Sequence, residues 1–184
     1  MARIETKQIP LGYKAPAFNL IDTLSGNNFT FEQLKGDKGT VVLFICNHCP
    51  FVIHVMEELT KIIDEYTAQG VGFVLISSND VNNYPQDGPE QMKAFANQYG
   101  LKAPYLYDES QDIAKAYDAA CTPDISIFND KDECIYRGQM DGSRPGNDIA
   151  IDGSDLRNVC DHIISGKEID FIQHPSIGCN IKWK

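Results

Sequence analysis

Val41-Val42-Leu43-Phe44-Ile45-Cys46-Asn47-His48-Cys49-Pro50-Phe51 joins an apolar β-branched run to a C-x-x-C pair and then to a helix start. Thr40 to Cys46 carry no charge, as in a strand covered on both faces. Pro50 stands where proline is favoured, at a first helical position. Beyond it Val52, Val55, Met56, Leu59, Ile62, Ile63 and Tyr66 recur at i, i+3, i+4 spacing, which predicts an amphipathic helix ended by Gly70. Val71 to Ser78 is a second buried-type strand. Strand, helix and strand in that order predict a right-handed parallel crossover.

The two cysteines at this junction are the chemical centre. A thiolate is the reactive form of cysteine, and a free thiol with a pKa near 8.5 is only a few per cent ionised at pH 7. A helix N-terminus offers unpaired N–H groups and about half a positive charge, and either favours a thiolate. With Pro50 as the first helical residue, Cys49 is the N-cap and has the better claim to a low pKa. Cys46, at the strand end, could then attack a mixed disulfide formed on Cys49. His48 could supply positive charge or a proton between them. A zinc half-site would need further ligands, with His48, His54 and Cys121 converging on the pair. Two inert core cysteines are the third reading. The strand–loop–helix context favours redox chemistry.

Outward from this junction, residues 16–31 read as a β-hairpin around the turn Ser25-Gly26-Asn27-Asn28, and residues 31–36 as a short helical turn. Residues 79–88 form a polar loop, residues 89–99 a helix stopped at Gly100, and residues 104–107 a short strand. A short helix capped by Ser110 runs to Tyr117. Cys121-Thr122-Pro123-Asp124 precedes a strand over 124–128, so Pro123 is a candidate cis-proline. A turn at 129–132 leads to a return strand over 133–137. Residues 138–153 are glycine-rich and polar, residues 155–164 a closing helix, and the tail from about residue 166 irregular. The whole predicts one domain over residues 1–184: an α/β sandwich with a mixed central sheet.

The 184 residues carry a net charge of −10, which excludes nucleic acid and anionic membranes as natural partners. The N-terminus has no apolar core like that of a signal peptide, and no stretch approaches the roughly 20 apolar residues of a span. The expectation is a cytoplasmic protein. Its six cysteines are spread through a chain long enough to have its own core, so most are expected to be reduced. Cys134 and Cys160 fall at core positions of a strand and a helix.

A C-x-x-C after a buried strand, with Thr-Pro before a later hairpin strand, resembles the thioredoxin fold, a three-layer sandwich. The N-terminal hairpin and the extra strand–helix unit at 104–118 are similar to the redoxin branch, which includes the alkyl hydroperoxide reductase/thiol-specific antioxidant proteins and the thiol-disulfide reductases of cytochrome maturation. Phe44 to Val52, Cys121 to Asp124, Tyr136 to Gln139 and the tail Pro175 to Lys184 look like a group of redoxins with a C-N-H-C-P motif. The resemblance implies that Cys46 and Cys49 form the redox site and that Pro123 is a cis-proline facing it; no cofactor or metal is expected. Counted from Phe44, Cys49 falls on the family's nucleophilic position and Cys46 lies upstream of it, while Val52 occupies the usual second position. The peroxiredoxin signature P-x-x-x-[ST]-x-x-C is absent, since Cys46 stands where the hydroxyl residue belongs.

The expected activity is therefore thiol-disulfide exchange, with Cys49 attacking, Cys46 resolving, Pro123 shaping the groove and His48 tuning the thiolates. The alternative is a thiol-dependent antioxidant peroxidase with Cys49 as the peroxidatic residue. A non-enzymatic metal-binding or interaction domain is the remaining class. Substrates would be protein or small-molecule disulfides, or peroxides, with a reducing thiol system as partner. Cys121 is a candidate third redox thiol and Cys179 a candidate distal resolving cysteine. Arg137 or Arg144 could replace the peroxidase family's activating arginine, against the simpler reading of solvated arginines.

Overall fold

The computed structural model describes residues 3–184. A short N-terminal strand β1 (Arg3–Glu5) is followed by the hairpin β2 (Asn19–Asp22) and β3 (Asn28–Thr30), then helix α1 (Phe31–Leu34). Strand β4 (Gly39–Phe44), helix α2 (Pro50–Thr67) and strand β5 (Val71–Ser77) form the crossover. Helix α3 (Pro89–Tyr99), β6 (Tyr105–Tyr107) and α4 (Asp112–Ala116) come next. The chain closes with β7 (Cys121–Thr122), β8 (Asp124–Asn129), β9 (Cys134–Gly138), α5 (Ser154–Ser165) and β10 (Ile177–Asn180).

The central sheet has seven strands in the order β3-β2-β6-β5-β4-β8-β9. Strand β4 runs parallel to β5 and antiparallel to β8, so the sheet is mixed. Its pleat explains the unbroken apolar run in the sequence. Val41, Leu43 and Ile45 pack with α2, α3 and α5 on one face; Val42 and Phe44 pack with Phe31, Ala114 and Tyr117 on the other. Helices on both faces of one sheet make the expected three layers. Each fully buried Val, Leu or Ile contributes roughly 1.5–3 kcal/mol. The inward stripe of α2, from Val52 to Tyr66, is buried as its spacing predicts.

Three local readings change. Helix α4 spans only Asp112–Ala116, and its cap position is Gln111, in the left-handed region at φ 67°; Ser110 Oγ still accepts from the Asp112 N–H at 3.1 Å. The polar loop at 79–88 is partly interior, with Asn79, Asp80 and Asp87 buried. The tail is not irregular throughout. Strand β10 pairs antiparallel with β1 on one side and β7 on the other, forming a second, three-stranded sheet. Beyond it Ile181 N–H donates to the Ala120 carbonyl and the Lys182 N–H to Asn79 Oδ1, so the chain end is fastened to the loops around the C-x-x-C junction.

Candidate active site

Strand β4 ends at Phe44 and α2 begins at Pro50, which leaves Cys46 at the strand edge and Cys49 at the N-cap of α2. Both sulfurs are buried. Opposite them the Thr122–Pro123 peptide is cis, as expected. Thr122 touches both thiols. Its hydroxyl lies 3.4 Å from Cys46 Sγ, and its carbonyl accepts from the Cys49 thiol at 3.1 Å. Cys49 Sγ makes no capping bond to the first N–H groups of α2. The sulfur faces the cis-proline loop and β10 instead.

The two cysteines are electrostatically unlike. Hydrogen bonding to Cys46 holds Cys49 down, to about 4, against the opposing effect of burial; Thr122 and then Cys179 push in the same direction. Cys46 is held well above the ordinary range, first by its hydrogen bond to Cys49, then by burial and by the negative charge of Asp87. The pair thus favours ionisation of Cys49 over Cys46.

Asp87 is the residue that the sequence did not single out. It is fully buried at the end of a 3₁₀ turn over Pro85–Asp87. Its Oδ1 accepts from the Asn47 N–H at 2.9 Å, and its Oδ2 from Asn79 Nδ2 at 2.8 Å. His48 Nδ1 lies 2.7 Å from the same Oδ2, and the His48 ring stacks on Tyr84. The Asn47 side chain continues the network by accepting from Tyr105 Oη at 3.0 Å. Ligand atoms of Cys46, His48 and Asp87 lie within 4.8 Å of one another. The trio named for a zinc site does not form. His54 bonds Ser143 Oγ at 2.8 Å, and Cys121 bonds Thr6 and the Pro123 carbonyl. Both Asp87 oxygens are thus engaged, and its negative charge acts on the neighbouring Cys46 thiol.

The other expected residues sort as follows. Cys121 is buried on the far side of the Thr122 backbone, with its pKa raised first by burial and then by Asp124. Cys134 and Cys160 are core residues. Neither arginine is a solvated surface group. Arg137 is buried and donates to the carbonyls of Lys7, Tyr117 and Asp118 and to Ser126 Oγ. Arg144 donates to the carbonyls of Asp141 and Ser143. Both fasten loops, and neither is among the main influences on Cys49. A cavity of about 770 Å³ lies elsewhere, lined by Leu11, His162 and Gln173 among others, and does not include the C-x-x-C pair.

Cys179 lies against the pair. It is the cross-strand partner of Thr122, and its thiol and backbone face the Cys49 sulfur. The strand that carries it can approach only because Gly178 has no side chain. A Cβ there would sit 1.9 Å from the Thr122 carbonyl oxygen, the same oxygen that accepts from Cys49.

A buried C-x-x-C between β4 and α2, faced by a cis-proline before β8, defines a thioredoxin-like α/β protein. The Redoxin family model matches residues 10–156, and the chain belongs to that family. A relative named thiol-disulfide oxidoreductase ResA, from Halalkalibacterium halodurans, is 26% identical over 117 residues, covering 63% of this chain and 61% of that protein. A Mycobacterium tuberculosis protein with peroxiredoxin in its name is 27% identical over 115 residues, covering 62% of this chain and 68% of its own. Among solved structures, an uncharacterized conserved protein from Geobacillus kaustophilus superposes with TM-score 0.98 at 50% identity, over 100% of this chain and 97% of that one. The thioredoxin domain of a Bacteroides vulgatus thiol-disulfide oxidoreductase shares the fold, with TM-score 0.62 at 19% identity over 83% of this chain and 99% of that one.

Proposed function

We propose that the protein is a thiol-disulfide oxidoreductase that reduces disulfides through the Cys46/Cys49 pair. The observation that carries this reading is the placement of the pair, with Cys49 at the N-cap of α2 opposite the cis Thr122–Pro123 peptide; the lowered pKa of Cys49 supports it. The Cys49 thiolate attacks one sulfur of a substrate disulfide and displaces the other as a thiolate. The mixed disulfide removes the charge on Cys49, which releases the largest restraint on Cys46. Cys46 gives its proton to the His48–Asp87 cluster and attacks Cys49 Sγ. A second substrate thiolate leaves, and a Cys46–Cys49 disulfide remains. Two electrons pass from the pair to the substrate, and a reducing thiol system returns them. No cofactor or metal enters any step. Pro123 shapes the wall opposite Cys49, and His48 and Asp87 manage the Cys46 proton.

Dithiothreitol-coupled reduction of insulin tests this. Cys49→Ser is expected to fall to the rate of dithiothreitol alone, and retained activity would contradict the assignment. The relative with peroxiredoxin in its name favours a second reading, an antioxidant peroxidase in which Cys49 is oxidised to a sulfenic acid. Hydrogen peroxide consumption with dithiothreitol separates the two, since a rate no faster than that of a free thiol leaves only disulfide exchange. The compartment we take is the cytoplasm, on the expectation that a chain with its own core keeps its six cysteines reduced.

A further inference from the structure

We propose that Cys179 is a third catalytic thiol, positioned by the C-terminal strand to form a disulfide with Cys49 in competition with Cys46. This rests on the reading of Cys49 as the nucleophile. The placement is specific. Strand β10 pairs with β7 so that Cys179 stands across from Thr122, the residue whose carbonyl touches Cys49 Sγ. Gly178 brings that strand into contact with the Thr122 carbonyl and the Pro123 nitrogen, a distance no side chain tolerates. Ser176 Oγ donates to the Pro123 carbonyl at 2.7 Å, and the Thr6 N–H to the Ser176 carbonyl at 2.9 Å, which fixes the strand from its other end. Cys179 is itself buried in the same cluster as Cys46 and Cys49.

Cys49 is therefore flanked by two thiols, Cys46 from the strand end and Cys179 from β10. Both are held protonated in part by the Cys49 thiolate, Cys179 to about 12 with burial the larger cause. Formation of a mixed disulfide on Cys49 neutralises that charge and favours ionisation of either neighbour. The exchange of sulfurs is the same for each, and only the destination of the proton differs. The Cys179 thiol loses its proton to solvent and attacks Cys49 Sγ. The Cys49–substrate bond breaks, the substrate thiolate leaves, and the protein, now carrying a Cys49–Cys179 disulfide, has passed two electrons to the substrate. Cys46 remains a thiol and can then displace Cys179 from Cys49 by a second exchange, moving the disulfide to Cys46–Cys49 with no net oxidation.

The test uses the full chain with Cys46→Ser, whose hydroxyl can still donate to Cys49, and one equivalent of 5,5′-dithiobis(2-nitrobenzoate). Attack by Cys49 releases one thionitrobenzoate per reagent, and resolution by Cys179 releases the second. The expected result is two per reagent, with a crosslink between the tryptic peptides 39–61 and 168–182 that Cys46→Ser/Cys179→Ser lacks. Release of one, with the adduct retained on Cys49, overturns the role of Cys179 and leaves Cys49 as nucleophile. An adduct on any other cysteine overturns both. Cys46→Ala gives a second readout on the same scale, with far-ultraviolet circular dichroism confirming that each variant is folded.

Discussion

Cys49 and Cys121 sit on opposite sides of the same Thr122 backbone, and both are completely buried. Burial alone would raise both thiols, because it disfavours the charged form. Only Cys121 follows that rule. Its surroundings are the Thr6 hydroxyl, the Pro123 carbonyl and the Asp124 carboxylate, two acceptors and one hydroxyl. Cys49 has the thiols of Cys46 and Cys179 turned toward it, and the start of α2 behind it. Depth does not set the direction of the shift; the balance of donors over acceptors around the sulfur does. Among the described residues the Thr122 carbonyl accepts from Cys49, a contact that belongs to its thiol form.

The contrast is open to direct attack. With iodoacetamide at pH 6, Cys49 is expected to alkylate at least about a hundredfold faster than Cys121, read by peptide mass spectrometry, because a thiolate and not a thiol reacts. Both are completely buried, so the comparison is made at equal depth; equal rates would erase the distinction. A smaller effect is expected from Gly178→Ala. The added methyl would overlap the Thr122 carbonyl oxygen, and overpacking of this kind costs about 1–3 kcal/mol. The account predicts partial release of β10 and alkylation of Cys49 on the order of tenfold faster. An unchanged rate would mean that β10 does not cover the site. The smallest is Cys46→Ala. It removes the largest influence that lowers Cys49, so the Cys49 pKa rises. Single-turnover attack on a disulfide should then weaken at pH 5–6 and recover by pH 9, where Cys49 is ionised with or without its neighbour. A pH-independent loss would point to a role for Cys46 other than donating to Cys49.

The same contrast explains what was legible in the sequence. Helix α2, strand β4, the N-cap place of Cys49 and the proline at 123 are local: a period, a β-branched run, Pro50 and a Thr-Pro step specify them. The partners that make Cys49 unlike Cys121 are not local. Asp87 lies in a run of polar residues that looks solvated, and its burial is balanced by Asn47 and His48 from the C-x-x-C segment and by Asn79 at the start of its own loop. Strand β10 has no alternating pattern of its own. Its register comes from β1 and β7, at the start and middle of the chain. The one signal available was a glycine beside a cysteine in the tail, which fits a close backbone approach. Arg137 also defied its composition-based reading, because five carbonyl and hydroxyl oxygens within the fold satisfy its guanidinium.

The central claim is that Cys49 is the thiolate of this site. The most direct test is a pH titration of thiolate absorbance at 240 nm in the reduced full-length protein, with Cys49→Ser as the blank. The account predicts a difference signal that is complete at neutral pH and lost only as the pH falls toward about 4. A difference signal that develops only near pH 8.5, as for an ordinary cysteine, would contradict it.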